Sequence, residues 1–352
     1  MANEQYEKGK IKLSYSKKQV KKAGDNIRKN IETVNSVEII RNFRAAHLYP
    51  LMIIKNLVWK HAKKKAPTAI IARRLKRLPT IIDKLSRATL DGEKDNSISI
   101  VRMQDIGGCR VIVENREQLV SLNNSLNNSR TVHSIKKIND YTVHKKTTGY
   151  RGIHRVYQCY GNEEYHDWKG FLIEVQLRTK LQHLWATTIE VVDLCEGKSL
   201  KTNPFNADKD WIEFFQIMSD FLADDDGFCY LDRIAKEEHK KRILELDKKL
   251  TATDKLLSFN RVFSDDNLMK EHAKHRYVVL AIDMMTTTVA CTFFTNKESA
   301  LDVYSQIEDE TRYNGLFVEI DDIKNLQKAY PNYIIDTSFF VRKFEYYTSR
   351  LY

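Results

Sequence analysis

The spacing of apolar residues predicts several amphipathic helices. Between residues 17 and 65, apolar side chains recur at intervals of three and four, the period that places them on one helical face. Pro50 lies inside this stretch and is expected to kink or divide it. The same spacing predicts further helices over residues 116–128, 180–193, 211–223 and 230–257.

A second pattern, short β-branched runs bounded by polar residues, predicts strands. In the centre of the chain, such runs cover residues 97–105, 109–115, 153–160 and 171–179. Because these runs alternate with predicted helices, we expect an α/β fold in which a mixed β-sheet is flanked by helices.

The C-terminal part of the chain repeats this alternation on a smaller scale. It predicts strands at 276–283, 288–295 and 315–321, one helix at 296–310 with Asn296 as its cap, and two short helices around Pro331. We therefore expect a small C-terminal α/β domain. The predicted organisation is N-terminal basic helices at 1–65, an α/β core at 66–200, a helical connector at 201–257 and a C-terminal domain at 258–352.

The charge of the chain favours a polyanionic partner. Its 352 residues include 58 Lys and Arg against 47 Asp and Glu, a formal net charge of +11. Basic side chains attract phosphates and release their counterions, although an inert lysine-rich surface would give the same count. The predicted N-terminal helix offers a nucleic-acid site formed by Lys17, Lys18, Lys21 and Lys22.

The cysteines and the N-terminus indicate the compartment. The five cysteines are far apart and form no C-x-x-C pair, which excludes a zinc finger and favours a reducing environment. The N-terminus lacks the apolar stretch of a signal peptide, and no segment is apolar over the length of a bilayer. The chain is therefore expected to be cytoplasmic and to have no membrane partner.

Two segments could bind phosphate and metal. Five cations stand between residues 72 and 84, a density that can hold a triphosphate, although a solvated basic helix has the same composition. Asp105 precedes Gly107 and Gly108, so its carboxylate is expected beside closely approaching backbone. Such a carboxylate suits Mg²⁺, which shares its coordination among few carboxylates, phosphate and water. An ordinary turn into a strand is the structural alternative.

Two further segments add polar groups to the predicted core. Residues 145–154 form a glycine-framed basic loop with Tyr150 and His154, able to stack a base and contact phosphate. In the strand predicted at 171–179, the period of two places three polar residues on one face: Glu174, Gln176 and Arg178. A basic surface loop and an exposed amphipathic strand are the structural alternatives.

Together and in this order, the four segments resemble the RelA/SpoT synthetase family. The resemblance covers roughly residues 65–195 and rests on the runs from Arg74 to Lys84, Asp105 to Arg110, Gly149 to His154 and Glu174 to Thr179. The runs are most similar to the small toxic synthetases, and among these to CapRel-like proteins, in which a toxin and an antitoxin-like domain share one chain.

The resemblance implies an ATP-dependent pyrophosphokinase that moves a diphosphate to a ribose 3′-hydroxyl. It implies that Asp105 and Glu174 bind Mg²⁺, that Glu174 is also the base, and that Tyr150 stacks on the acceptor. The ATP phosphates would be held by Arg74, Lys76, Lys84 and Arg110. The acceptor would be bound by Lys145, Tyr150, His154 and Gln176.

The resemblance leaves the acceptor open. Toxic members modify the 3′-CCA end of tRNA, and the basic N-terminal helices favour this acceptor, with inhibition of translation in phage defence as the implied role. Alarmone synthetases use GTP, GDP or adenine nucleotides instead. A catalytically inactive RNA-binding module is a third alternative, against which the intact Asp105, Tyr150 and Glu174 argue.

The C-terminal domain is expected to regulate the enzyme. The resemblance implies a zinc-finger-like fold without its metal, which the distant Cys229 and Cys291 would fit. We expect it to inhibit the synthetase by covering the loop around Tyr150, until a phage protein releases it. Candidate aromatic residues for this contact are Tyr330, Tyr333 and Phe340.

Overall fold

The computed structural model describes residues 10–29, 31, 34–86, 98–195, 208–258, 275–283, 289–310, 312–320 and 337–349. Its first three helices are α1 (Lys17–Arg28), α2 (Val34–Ala45) and α3 (Leu48–Lys65). Ser16 caps α1 by accepting a hydrogen bond from the Gln19 N–H, while the Gln19 side chain binds back to the Ser16 backbone. Pro50 lies in the first turn of α3, where its missing N–H leaves no helical bond unmade. The helical stretch predicted at residues 17–65 is therefore divided before Pro50, between α2 and α3, and not at the proline itself.

The strands are β1 (Ile70–Leu75), β2 (Gly107–Val113), β3 (Ser134–Asp140), β4 (Ile153–Gln158), β5 (Leu172–Thr179), β6 (Tyr277–Asp283), β7 (Val289–Phe294) and β8 (Tyr313–Ile320). They form one sheet in the order β3-β4-β5-β2-β1-β8-β6-β7. β2 and β5 run parallel, whereas β1 and β2, and β4 and β5, run antiparallel. The sheet is therefore mixed, and the predicted fold class is confirmed.

In the described residues, the remaining helices are α4 (Leu78–Ser86), α5 (Arg116–Asn127), α6 (Lys180–Cys195), α7 (Lys209–Asp225), α8 (Arg233–Leu250), α9 (Ala252–Ser258), α10 (Lys297–Asp309) and α11 (Ser338–Ser349). The helix predicted at 230–257 is divided at Thr251, whose φ of 50° is left-handed. Asn296 caps α10 as expected, accepting from two backbone N–H groups. The turn at Pro331 lies outside the described residues. Among the helices of the described ranges, none has the length and apolar character needed to cross a bilayer.

The prediction of a strand at residues 97–105 is wrong. Residues Ile100–Arg102 form a single 3₁₀ turn instead. Ile100 is buried against α1, where a Cβ on Gly24 would come within 2.9 Å of its side chain. The neighbouring β2 is already paired on both sides, with β1 and β5, so the sheet offers this segment no edge there.

The C-terminal strands extend the same sheet. β8 pairs antiparallel with β1, with Ala72 opposite Ile320 and Arg73 opposite Glu319. Helix α10 packs on these strands through Tyr304, which is buried with Phe317. We refer to β6, β7, β8 and α10 as the C-terminal strand unit. The edge of the core sheet is therefore completed by residues far along the chain.

Two apolar clusters stabilise the fold. The first lies between the sheet and helices α1 to α5. The second joins α6 to α9 with α11, and includes Phe214, Phe215 and Phe340. Phe340 is fully buried, with its ring centroid 5.7 Å from that of Phe215, so in this conformation it is a core residue. Tyr330 and Tyr333 lie outside the described residues.

Candidate active site

Strands β2, β4 and β5 present polar side chains on one face of the sheet. On β5, the alternate residues are buried in the first apolar cluster, so the period of two turns three polar side chains to the opposite face: Glu174, Gln176 and Arg178. The strand register places Gln176 between Arg110 of β2 and His154 of β4. The alternation predicted from the sequence therefore matches the observed strand.

Asp105 is held by two lysines at one end of this face. Lys76 Nζ lies 3.1 Å from Asp105 Oδ2, and Lys84 Nζ lies 3.0 Å from Oδ1 and 3.2 Å from Oδ2. Lys76 follows β1, Lys84 is in the last turn of α4, and Asp105 precedes β2. The ends of three separate elements thus bring together residues that the sequence assigned to ATP and metal. We call these three residues the Asp105 cluster.

The charges of the Asp105 cluster favour an anionic ligand. Burial alone would raise the pKa of Asp105, but the ammonium groups of Lys76 and Lys84 lower that pKa to about 2. Burial lowers the pKa of Lys76, and the Asp105 carboxylate opposes this effect. With both amines protonated, the cluster carries one positive charge in excess, which suits a phosphate group.

Five side chains on the same face form a closed ring of hydrogen bonds. Arg178 Nε donates to the Tyr150 hydroxyl at 3.1 Å, and this hydroxyl lies 2.5 Å from His154 Nε2. His154 Nδ1 lies 3.0 Å from Glu174 Oε1, and Glu174 Oε2 accepts from Gln176 Nε2 at 2.7 Å. Arg178 Nη2 donates to Gln176 Oε1 at 2.8 Å, which closes what we call the Glu174 ring.

The hydrogen bonds of the Glu174 ring can all form with His154 in its neutral state. Arg178 can only donate, so the Tyr150 hydroxyl accepts from Arg178, and toward a neutral His154 it donates its own proton to Nε2. His154 is then neutral, with its proton on Nδ1, and donates to the Glu174 carboxylate.

The pKa shifts in the ring agree with this assignment. Burial lowers the pKa of His154 and raises the pKa of Tyr150, so both side chains are neutral near pH 7. Burial alone would raise the pKa of Glu174, but the hydrogen bonds from His154 and Gln176 leave that pKa lowered. Glu174 is therefore an ionised carboxylate with a neutral histidine beside it, a state in which it can accept a proton.

Tyr150 is a buried member of the site. Its side chain is 3% exposed, with Lys146 Nζ 5.2 Å and Arg178 Cζ 5.1 Å from the ring centroid. Trp185 lies edge-on to the same ring at 6.2 Å. In this conformation Tyr150 therefore orients the Glu174 ring, and its role in stacking on an acceptor base stays a prediction.

The two lysines at 145 and 146 have different environments. Lys145 Nζ lies 2.5 Å from Asp220 Oδ2 on α7, so this side chain is directed toward that helix. Lys146 lies over Tyr150 instead; burial lowers the pKa of Lys146, and Glu174 opposes that effect. Lys146 is thus a site residue that the sequence did not single out, because adjacent lysines carry no signal to distinguish them.

The other predicted site residues lie on β1, β2 and α1. Arg74 stands opposite Gly108 in the β1–β2 ladder, and Arg110 stands opposite Gln176 in the β2–β5 ladder. Helix α1 buries its apolar side in the first cluster and exposes four lysines on the other: Lys17, Lys18, Lys21 and Lys22. Lys17 Nζ also donates to the Lys169 carbonyl at 3.1 Å.

Two carboxylates of the site fit Mg²⁺. Asp105 and Glu174 both have lowered pKa values and are close enough for their charges to interact. In the described part of the chain, no group of three or more His, Cys, Asp or Glu side chains could enclose a metal ion. A hard cation that takes few carboxylates and completes its shell with phosphate and water suits this donor set.

Comparison with known proteins assigns this part of the chain to a family region. Residues 73–191 match the family described as "Region found in RelA / SpoT proteins". The match contains the Asp105 cluster and the Glu174 ring, and it ends before α7. The chain therefore contains a RelA/SpoT region. No curated protein sequence matches the chain.

Several solved structures are similar over part of the chain. Small alarmone synthetase 2 from Bacillus subtilis is 17% identical, with 59% of this chain and 98% of that chain covered and a TM-score of 0.40. Small alarmone synthetase 1 from Bacillus subtilis is 20% identical, with 57% and 95% covered and a TM-score of 0.39. A GTP pyrophosphokinase family protein from Streptococcus pneumoniae is 18% identical, with 57% and 89% covered and a TM-score of 0.35.

Proposed function

We propose that this chain is an ATP-dependent pyrophosphokinase that transfers a diphosphate to a ribose 3′-hydroxyl. The observation that supports this proposal is the presence, on one face of the sheet, of a positively charged Asp105 cluster together with an ionised base, Glu174. The Asp105 cluster can hold the donor phosphates, and Glu174 can activate the acceptor hydroxyl. The RelA/SpoT region at 73–191 supports the same class of reaction.

The chain's own groups account for the proposed transfer. The acceptor 3′-oxygen attacks the β-phosphorus of ATP, the bond from that phosphorus to the oxygen bridging to the α-phosphate breaks, and AMP leaves with the bonding electrons. Glu174 accepts the proton of the attacking hydroxyl. Lys76 and Lys84, with the guanidinium groups of Arg74 and Arg110, would neutralise the phosphate oxygens.

The two carboxylates of the proposed site would meet both the metal ion and the acceptor hydroxyl. Asp105 and Glu174 would hold a Mg²⁺ ion, which supplies charge neutralisation at the phosphates. Each oxygen of Glu174 accepts one hydrogen bond, from His154 or Gln176, and keeps a second lone pair that can accept from an acceptor hydroxyl.

We propose the 3′-CCA end of tRNA as the acceptor. Helix α1 exposes a row of four lysines and the chain carries a net charge of +11, which offers a long polyanion more contacts than a small nucleotide can use. A diphosphate on the terminal ribose would block aminoacylation, so translation would stop. We extend the proposal to a toxin held inactive through residues 258–352 and released by a phage protein.

Synthesis of alarmones from GTP, GDP or adenine nucleotides is the second candidate. The catalytic groups it needs are the same, and the partly exposed Glu174, His154 and Gln176 of the ring require no long acceptor. The two candidates differ in the use of α1, because a free nucleotide contacts only the site.

Labelling from γ-labelled ATP separates the two candidates. The full chain is incubated in parallel with total tRNA, with GTP or GDP, and with AMP or ATP, and the species that gains label is identified. Label on tRNA that is lost after removal of the 3′-terminal nucleotide would support the tRNA proposal. Label on a free nucleotide alone would contradict the tRNA proposal and support alarmone synthesis. No label in any arm would contradict the proposed pyrophosphokinase activity.

A matched pair of variants tests the role of α1. Lys18→Glu with Lys22→Glu should weaken tRNA labelling and reduce the slope of log affinity against log salt by about one to two. Lys241→Glu with Lys248→Glu, two exposed lysines of α8, is the control with equal charge change. Equal loss in both variants would mean that only the net charge matters, and that α1 is not a specific contact.

A further inference from the structure

Arg44 is a buried arginine outside the proposed site. It lies in the last turn of α2 and is 7% exposed. Its Nε donates to the backbone carbonyl of Lys76 at 2.6 Å, and its Nη2 donates to the Tyr304 hydroxyl at 3.0 Å. Arg44 therefore contacts both the backbone of Lys76, a lysine of the proposed ATP site, and the C-terminal strand unit.

The backbone of Lys76 is held from two sides. Its N–H donates to the Ile106 carbonyl at 2.7 Å, next to Asp105, and its carbonyl accepts from Arg44. Its side chain then reaches Asp105 at 3.1 Å. Lys76 stands just past the end of β1, where the bond to Ile106 continues the backbone pairing by one residue. The carbonyl bond from Arg44 therefore restrains the residue whose ammonium group orients Asp105.

The C-terminal strand unit in turn holds Arg44. Tyr304 on α10 is 2% exposed, and its ring lies 5.2 Å from the Arg44 guanidinium carbon. A second hydrogen bond joins the same two helices without touching Lys76: Arg41 Nη1 donates to Ser305 Oγ at 3.1 Å. Two side-chain hydrogen bonds thus connect α2 with α10, from Arg41 to Ser305 and from Arg44 to Tyr304. Of these two arginines, Arg44 also donates to the backbone of Lys76 in the proposed site.

We propose that Arg44 is a positioning residue for the ATP site and that Tyr304 of the C-terminal strand unit is what holds it in place. This inference rests on the proposed function, because it assigns Lys76 to ATP. A buried guanidinium with two fixed hydrogen bonds has little freedom to turn, so the Lys76 carbonyl, and with it the ammonium group, keeps one position. ATP affinity then depends on a residue more than 220 positions further along the chain.

The experiment measures ATP binding and acceptor use separately. The full chain and its variants are titrated with α,β-methylene-ATP in the presence of Mg²⁺, and the KM of the acceptor is measured in parallel. Arg44→Met should weaken binding of the analogue about tenfold, because the Lys76 carbonyl loses its charged donor. Tyr304→Phe should weaken it about threefold, because the ring stays and only the hydroxyl is lost. The acceptor KM should stay within about twofold in both.

Ser305→Ala is the matched control. It removes the neighbouring α2–α10 hydrogen bond and leaves the Arg44 contacts intact, so binding of the analogue should be unchanged. If Ser305→Ala and Tyr304→Phe weaken binding equally, the two helices act only through their docking and the inference is overturned.

The remaining outcomes also decide the matter. Folded Arg44→Met with wild-type affinity for the analogue would overturn the inference. If Arg44→Met does not fold, Tyr304→Phe decides, and an unchanged affinity in that variant would overturn the link from the C-terminal strand unit. A wild-type chain that does not bind the analogue at all would contradict the proposed function itself, and the inference would fall with it.

Discussion

Asp105 and Glu174 are two carboxylates on one face of one sheet, yet they are held in different ways. Asp105 is bound by two ammonium groups, which lower its pKa to about 2. Glu174 is bound by two neutral donors, the ring N–H of His154 and the amide of Gln176. Phosphate oxygens can replace the first pair of contacts directly, because ammonium groups bind both kinds of anion.

The contrast shows how one surface can serve two chemical purposes. Around Asp105, charge exceeds what the carboxylate needs, so the cluster is suited to binding. Around Glu174, no cation contacts the carboxylate directly in the ring, so its ability to take a proton is preserved. A base paired to an ammonium group would have a far lower pKa and would be a weaker proton acceptor.

The largest effect is expected from Glu174→Gln. The variant keeps the shape of the side chain and removes the proton acceptor, so kcat should fall by about a thousandfold, within the range of general-base contributions. Transfer is measured with labelled ATP, and folding by the melting temperature. Glu213→Gln, which breaks an exposed ion pair with Arg242, is the control and should leave kcat unchanged. A kcat within tenfold of wild type in folded Glu174→Gln would show that another group is the base.

The next effect concerns the other carboxylate. Lys84→Ala removes a contact from both oxygens of Asp105, and kcat/KM for ATP should fall about a hundredfold. Lys84→Arg, which restores the charge with a different geometry, should recover part of this loss. An effect confined to the acceptor KM would show that Lys84 binds the acceptor. It would contradict the assignment of phosphate binding to the Asp105 cluster and of acceptor activation to Glu174.

The adjacent lysines provide a finer test of the same division. Lys146→Ala should raise the acceptor KM about tenfold, because Lys146 lies over Tyr150 and interacts with Glu174. Lys145→Ala should lower the melting temperature and leave the acceptor KM within about twofold, because its partner is Asp220. The reverse pattern would show that Lys145 leaves α7 to bind the acceptor, as the sequence alone suggested.

The smallest effect comes from a third carboxylate, at the other end of β5. Asp226 accepts a hydrogen bond from the Thr179 hydroxyl, and burial raises the pKa of Asp226 to about 6. Because this pKa is above the ordinary value, the folded state is favoured at low pH, and that contribution is lost as the pH rises through about 6.

Asp226→Asn should therefore be more stable than wild type at pH 8, by about 2–4 °C in melting temperature. The gain should shrink toward pH 4, where the wild-type carboxyl is protonated in the folded state. Asp247→Asn is the matched control, because Asp247 likewise accepts a hydrogen bond from a threonine hydroxyl, that of Thr253; this variant should not be more stable than wild type at pH 8. A gain that does not change with pH would mean that Asp226 is not a buried titrating group.

The sequence predicted the strands and helices that have strong local patterns. β5 was recognised because buried apolar residues alternate with Glu174, Gln176 and Arg178, and this alternation also identified the polar face. β3 was missed, because this edge strand is mostly exposed and carries an irregularity between Ile135 and Lys137. Its side chains therefore lack the alternation of buried and exposed positions that marks a strand in a sequence.

The hydrogen-bond partners could not be predicted. The sequence named most members of the site, but the Glu174 ring depends on rotamers that only packing determines, and Arg178 was recognised in the strand without a role. Likewise the pairing of β8 with β1 has no local signature, since neither strand encodes which distant edge it will meet.

That pairing has a consequence during synthesis on the ribosome. After Ala72 has been synthesised, the ribosome must add about 250 further residues before its partner Ile320 is made. This synthesis takes roughly 12–50 s at ordinary translation rates. Throughout this interval β1 is an open edge, and Arg44 has no Tyr304 to hold it. A nascent chain therefore carries the segments of the proposed site long before β8 and Tyr304 are made and can complete the contacts of β1 and Arg44.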